Sequence, residues 1–281
     1  MPTYKGAGSS EHTELKQNHF AKFLDMHMAI CKGQMRRRDV QSPYVFFDLN
    51  AGPGITDGIE GSPLLFIRRA LGYEFQCLSY HFDRRADHCQ ALEMRRIKIA
   101  GSQSPHDFNI VQGDHNHTVD CVLSNYRFSD RKFCGLIYAD PNGEDLPVEV
   151  INKILSVPCF GRLEVLINTN ATAIKRVKNR FPNVPHLSLR ARITAIKKSV
   201  VILREPVGQW QFSIILLTNW GGFPVMKQQS FHRLNTEIGE QIMQTLDLTA
   251  KELRARAIAQ EPRRLSGPFD PEDFDLGGLF G

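Results

Sequence analysis

The sequence predicts an α/β fold: a doubly wound, mostly parallel sheet of seven strands, completed by a C-terminal antiparallel hairpin. Three observations carry that expectation. Short apolar strands alternate with amphipathic helices over residues 44–180, the rhythm of a parallel sheet covered on both faces. The rhythm then breaks into two apolar runs, 199–203 and 212–217, separated by Glu205-Pro206-Val207-Gly208, which reads as antiparallel pairing at the sheet edge. Carboxylates close the first and fourth strands, at the end of the sheet where such folds bind ligands.

The elements follow in order. Ser9 or Ser10, with Glu11 and Glu14 behind it, reads as a capped helix start. Phe20, Phe23, Leu24, Met28 and Cys31 then keep helical spacing, so the first helix is expected to end near Gly33. A basic link, 35–39, leads to strand one at 44–48, which ends in Asp48. Asn50-Ala51-Gly52-Pro53-Gly54 is the turn, and a loop through Gly58 and Gly61 reaches Ser62-Pro63, where Ser62 can cap and Pro63 can start the next helix. Strands two to five are expected at 75–80, 108–111, 133–139 and 163–168, with helices at 84–99, 147–156 and 171–180. A terminal helix spans 237–260. The expected organisation is a helical segment at 1–34, a core at 35–225, a second helical segment at 226–261 and a disordered acidic tail at 262–281. That tail mixes acids with spaced apolar residues and suits either a solubilising linker or a protein-docking peptide.

Composition narrows the class. The chain has 281 residues, 42% hydrophobic and 23% charged, and no apolar run approaches the roughly 20 residues of a membrane span. Residues 1–10 have no apolar core, so no signal peptide is expected and the chain reads as cytoplasmic, with no membrane partner. Six scattered cysteines without a Cys-x-x-Cys pair read as reduced, mostly buried thiols. Asp114, His115 and His117 alternate on a segment read as extended, with no partner motif, so no metal is expected. From Lys175 to Arg204 nine Lys or Arg residues occur without one Asp or Glu. Such a tract is either a polyanion surface, with Lys175, Lys197 and Lys198 as phosphate contacts, or a solvated face balanced by acids elsewhere in the fold.

The chemistry-bearing residues sit where the predicted strands end. Gly52 and Gly54 let backbone approach a nucleoside closely. The turn lacks the third glycine of a dinucleotide fingerprint, which points away from NAD. Asp48 is placed to receive the amino group of a methionine moiety. His81 or Asp83, after strand two, is placed for ribose hydroxyls, and Asp114, after strand three, for adenine. Each is also an ordinary turn or cap residue. Asp140-Pro141, at the tip of strand four, brings a carboxylate beside a rigid backbone carbonyl. Two such acceptors hold an amino group with its lone pair aimed at an electrophile.

With these residues in view, the chain resembles a known family. His12-Thr13-Glu14-Leu15-Lys16, Asp48-Leu49-Asn50-Ala51-Gly52-Pro53-Gly54, Gly61-Ser62-Pro63-Leu64-Leu65, Asp140-Pro141-Asn142-Gly143 and Arg204-Glu205-Pro206 resemble the three-Cys-motif partner protein family of class I methyltransferases. More distantly they are similar to amino-group nucleic-acid methyltransferases carrying Asp-Pro-Pro-Tyr. The resemblance spans about 11–220 and implies a Rossmann-like fold. It also implies an S-adenosylmethionine site on Asn50, Ala51, Gly52 and Gly54, a catalytic Asp140-Pro141-Asn142 turn and a site-lining Lys16. The chain departs from the pattern at Asn50, where relatives have Phe, and at His81 or Asp83, where Glu is common. Asn142-Gly143 replaces Pro-Tyr, removing the aromatic that stacks on a flipped base. Tyr138, Trp220 or Phe223 is the candidate replacement. The implied activity is methylation of an exocyclic base amine, adenine in DNA foremost, with low sequence selectivity. The alternatives are a non-catalytic nucleic-acid or protein-binding module, or a methyltransferase acting on RNA or protein.

Overall fold

The computed structural model describes residues 13–38, 42–102, 104–141, 146–180, 188–206, 212–222, 230–249 and 252. These fall into two compact units, one up to Asp247 and one from Leu248 onward. In the second, Thr249 and Glu252 exchange reciprocal hydrogen bonds, each side chain accepting from the other's backbone N–H at 3.2 and 2.6 Å, as in a helix capping box.

The first unit is built on one large sheet. Strands β1 (Tyr44–Asp48), β4 (Cys77–Asp83), β5 (Asp107–Gln112), β6 (Cys134–Ala139) and β7 (Glu164–Asn170) are parallel, in the order β5-β4-β1-β6-β7. Beyond β7 lie β9 (Phe212–Thr218), β8 (Val200–Arg204) and β10 (Phe231–Arg233), each antiparallel to its neighbour. The doubly wound fold is as expected, but the sheet has eight strands, not seven. β10 pairs outside β8, Phe231 opposite Arg204, so the predicted hairpin is not the edge. A three-residue strand carries too little pattern to be read from sequence.

Every residue of β1 is buried, because helices cover both faces. Val45 and Phe47 enter one core with helices α4 (His115–Ser124), α5 (Val148–Ser156), α6 (Ala171–Arg180), α7 (Leu189–Thr194) and α8 (Glu237–Asp247). Tyr44 and Phe46 enter the other, under α1 (Thr13–Arg38), α2 (Ser62–Ala70) and α3 (Ala86–Ala100). The two-residue strands β2 (Ile55–Thr56) and β3 (Ile59–Glu60) form a small hairpin where an irregular loop was expected.

Other boundaries moved for tertiary reasons. Helix α1 continues to Arg38, so the basic stretch after Gly33 is helical rather than a link; Lys32 and Arg36 pair with Glu74 there, and Met35 packs on the core. Helix α8 ends at Asp247, not Gln260, and the Asp247 carboxylate accepts from Lys178 Nζ and Leu189 N at 3.1 and 2.8 Å. The His115-His117 segment, read as extended, opens α4 instead. The cap at Ser9 or Ser10, the 262–281 tail and most of 248–260 lie outside the described residues. Cys121 is exposed, against the expectation of burial, and all six thiols are unbridged. Among the described residues no helix is long and apolar enough to cross a membrane, and no three His, Cys, Asp or Glu side chains gather as metal ligands.

Candidate active site

From β1 the sheet is laid down first toward β5 and then, after a jump, toward β7, so its order reverses between β1 and β6. A crevice is required outside the carboxyl ends of the strands at such a point. A cavity of about 590 Å³ opens there, between α1, the β1 turn, the ends of β4 and β5, and the tip of β6. That is the size of a small-ligand site.

The glycine turn forms one wall. Gly52 and Gly54 have φ of +65° and +84°, a conformation L side chains adopt only at a cost. A Cβ on Gly54 would stand 2.8 Å from Leu92 Cδ1, whereas one on Gly52 would meet nothing within 4 Å, leaving bare backbone on the cleft side. The turn is held from three directions. Ala51 N donates to Phe82 O at 3.0 Å, Gly61 N donates to Gly54 O at 2.7 Å, and the buried Arg95 donates from below to Pro53 O.

Asp48 does not reach this cleft. It is fully buried, with one oxygen accepting from Ser62 Oγ at 2.7 Å and the other from Asn50 N at 3.2 Å. Its role here is to tie the turn to the start of α2, and the expectation that it meets a ligand's amino group is corrected. Ser62 correspondingly makes no helix cap, since its hydroxyl is spent on Asp48; Gly61 is the N-cap residue. His81 is also corrected. It is fully buried between Phe46 and Phe66, shares a 2.8 Å hydrogen bond with Ser79 and stays 3.8 Å from Asp48. His81 and Asp83 share one face of β4, but α2 covers His81 whereas Asp83, at the strand's end, lines the cleft. Asp83 accepts from Arg85 N at 2.8 Å and pairs with His88 at 3.2 Å.

Asp114 takes the cap role instead of the adenine one. Its side chain accepts from Asn116 N at the start of α4 and pairs with Arg84, and both hold its carboxyl below the usual carboxylate range. Its neighbours Gly113 and His115 line the cavity.

The opposite wall is Asp140-Pro141. Asp140 is a junction of three elements: Oδ2 accepts from Lys16 Nζ of α1 at 2.6 Å, Oδ1 accepts from Asn168 Nδ2 of β7 at 2.7 Å, and its backbone N donates to Asn50 Oδ1 at 3.1 Å. Asn50, the departure from the family pattern, thus links the glycine turn directly to the β6 tip. Asn168 was not singled out, although it closes the predicted fifth strand beside the fourth, which was the available signal. Asn142 lies outside the described residues.

Five other expected contacts lie elsewhere. Tyr138 is buried under α1, its ring 4.4 Å from that of Phe20, and burial pushes its hydroxyl pKa well up; no stacking face is open to a base. Trp220 follows β9, whose register runs from Phe212 opposite Asn170 to Leu217 opposite Val165, so it lies at the amino ends of the parallel strands. Lys197 and Lys198 precede β8 at that same end, where Lys197 donates to Ser156 Oγ and Lys198 to Gly161 O. Two of the basic tract's nine cations are paired with acids of α8: Lys178 with Asp247 and Arg190 with Glu240. Lys175 lies on α6 outside the cavity lining, its pKa lowered by burial and by Lys178.

No protein-family model and no curated protein sequence matches the chain. Solved structures similar in fold include the following two. Magnesium protoporphyrin IX methyltransferase (ChlM) from Synechocystis PCC 6803 with bound SAH aligns at 12% identity over 77% of this chain and 90% of its own, with a TM-score of 0.43. Trm1 from Pyrococcus horikoshii with S-adenosyl-L-methionine aligns at 13% identity over 68% of this chain and 58% of its own, with a TM-score of 0.38.

Proposed function

We propose that the protein is an S-adenosylmethionine-dependent methyltransferase acting on an exocyclic amine of a nucleic-acid base, adenine in DNA being the foremost candidate. The observation that carries this reading is that the bare Gly52–Gly54 backbone and the Asp140-Pro141 turn face one cavity of about 590 Å³. The cavity fits the cofactor: it is large enough, backbone without a side chain walls it at Gly52, and the Asp83 oxygens, each with a second lone pair beyond the contacts to Arg85 and His88, can accept from hydroxyl groups. When bound there, S-adenosylmethionine supplies a methyl group on a sulfonium, open to displacement by a nitrogen lone pair.

The chain's part is positioning. Lys16 and Asn168 each occupy one lone pair of an Asp140 oxygen, and each oxygen keeps another acceptor direction. Those directions and the rigid Asp140 carbonyl suit an incoming N–H pair, fixing the nitrogen's lone pair toward the cleft. With the cofactor held by the Gly52–Gly54 turn, transfer would break its sulfur–carbon bond as the nitrogen–carbon bond forms, and Asp140 would accept the nitrogen's surplus proton. Three elements clamp Asp140, so little reorganisation is needed at the moment of transfer.

Purified protein incubated with methyl-labelled S-adenosylmethionine and DNA, RNA or a protein mixture should label DNA, with methyladenine recovered from nucleosides by mass spectrometry. Label on protein alone, or nowhere, defeats the reading. Calorimetry with S-adenosylmethionine separates it from a non-catalytic module, which would give no heat.

A further inference from the structure

The Lys16–Asp140–Asn168 bridge has two sides. One faces the cleft. On the other lies a shallow hollow lined by Leu15, Lys16, His19, Asn168, Arg204 and Ile214; it contains both residues that grip Asp140, and one of them, Lys16, also lines the cleft. Strand register puts its floor in one row. Asn168 of β7 faces Ile214 of β9, and Arg204 of β8 follows the Leu203–Ile215 pair by one step. Directly opposed residues share a sheet face, and two strand spacings separate Asn168 from Arg204 by about 10 Å. That is the reach of a nucleotide from its base edge to its phosphate.

The hollow is electrostatically one-sided. Among the described residues Arg204 donates no side-chain hydrogen bond, and its buried Nε has no acceptor. A buried guanidinium donor in that condition calls for an acceptor from outside the fold. His19 stands beside it, and its pKa is pushed down to about 4 by burial and by the Arg204 and Lys22 cations. The nearby acids are already engaged: Asp140 by Lys16, and Glu205 by His232.

We propose that Arg204, assisted by His19 and Lys16, is an anion-binding subsite that takes a backbone phosphate of a nucleic-acid strand whose base amine lies at Asp140. This rests on the methyl-transfer reading of the cleft. The hollow holds only about 10 Å³, too little to enclose a small anionic acceptor. A strand held elsewhere along its length needs only one phosphate contact here. A fork of guanidinium donors matches phosphate geometry better than an ammonium does.

The test uses the full chain and a short fluorescein-labelled single-stranded oligodeoxynucleotide of mixed sequence, with the same sequence as RNA to decide the strand type. Arg204→Gln should weaken binding about tenfold and lower the salt slope by about 0.7, while S-adenosylmethionine binding by calorimetry stays unchanged. Arg204→Lys should restore the salt slope but only part of the affinity. A methylphosphonate strand, which has no backbone charge, should bind wild type and Arg204→Gln equally. The proposal is overturned if Arg204→Gln keeps wild-type affinity and salt slope while binding the cofactor, or if it also loses the uncharged strand. Loss of phosphate-dependent binding in Arg204→Gln, with no cofactor heat in wild type, would keep the subsite and remove the methyl-transfer reading alone.

Discussion

The two ends of the sheet each carry a hollow, and the larger is not the candidate active site. At the amino ends of the parallel strands a cavity of about 760 Å³ is floored by His27, Cys31, Phe133, Cys134 and Glu164. Its buried polar groups satisfy one another: His27 bonds Tyr44 Oη at 2.7 Å and Glu164 at 3.1 Å, and Thr218 donates to the other Glu164 oxygen at 3.3 Å. At the carboxyl ends the cavity is about 590 Å³, yet Gln17 in its wall has a buried Oε1, and Arg204 in the hollow beside it a buried Nε, without partners among the described residues. Volume does not mark a ligand site. Unpartnered polar atoms that open on a hollow are the better guide, since most buried polar groups are paired within the fold.

The contrast can be broken most directly at Asp140. Asp140→Ala should reduce methyl transfer by about 10²–10³-fold, the usual effect of deleting a preorganised polar contact, with cofactor affinity near wild type. Single-turnover kinetics and calorimetry measure the two, and retained turnover would sink the assignment. At the other end Tyr44→Phe should leave the buried His27 Nδ1 without its Tyr44 partner and cost about 1–3 kcal/mol in urea unfolding, with cofactor binding unaltered. A cofactor defect there would show that the two ends are not independent.

A finer test is pH. His19 titrates near 4 in the fold against 6.5 for an ordinary imidazole, so the unfolded chain takes up the proton first on acidification. Its contribution to stability is full above about 6.5 and is lost as pH falls toward 4. His19→Asn, facing the same Arg204, Lys16 and Lys22 charges, should flatten that part of the stability curve; an unchanged slope would place His19 outside the basic hollow. The smallest effect belongs to Lys197→Glu. Seven residues of β7 put it about 20 Å from the cleft, beyond the screening length of about 8 Å, so strand affinity should change by less than about twofold. A large loss would return the phosphate path to the basic tract.

Local pattern was enough to specify the alternation of strands and helices, and with it the end of the sheet where a ligand site is expected. Periodicity is a local property, and the carboxyl-end rule then turns positions such as Gly52, Asp83 and Asp140 into neighbours. Which of several nearby polar side chains faces the cleft was a tertiary decision. Asp48 and His81 end up in the core because the strand pleat and the α2 packing point them there, and Tyr138 because α1 covers it. Asn50 and Asn168 gained their places only when three strand tips met. The basic tract looked uncompensated because Glu240 and Asp247 lie more than 35 residues beyond it along the chain. Charge balance is set by distance in space, and α8 supplies it only after folding.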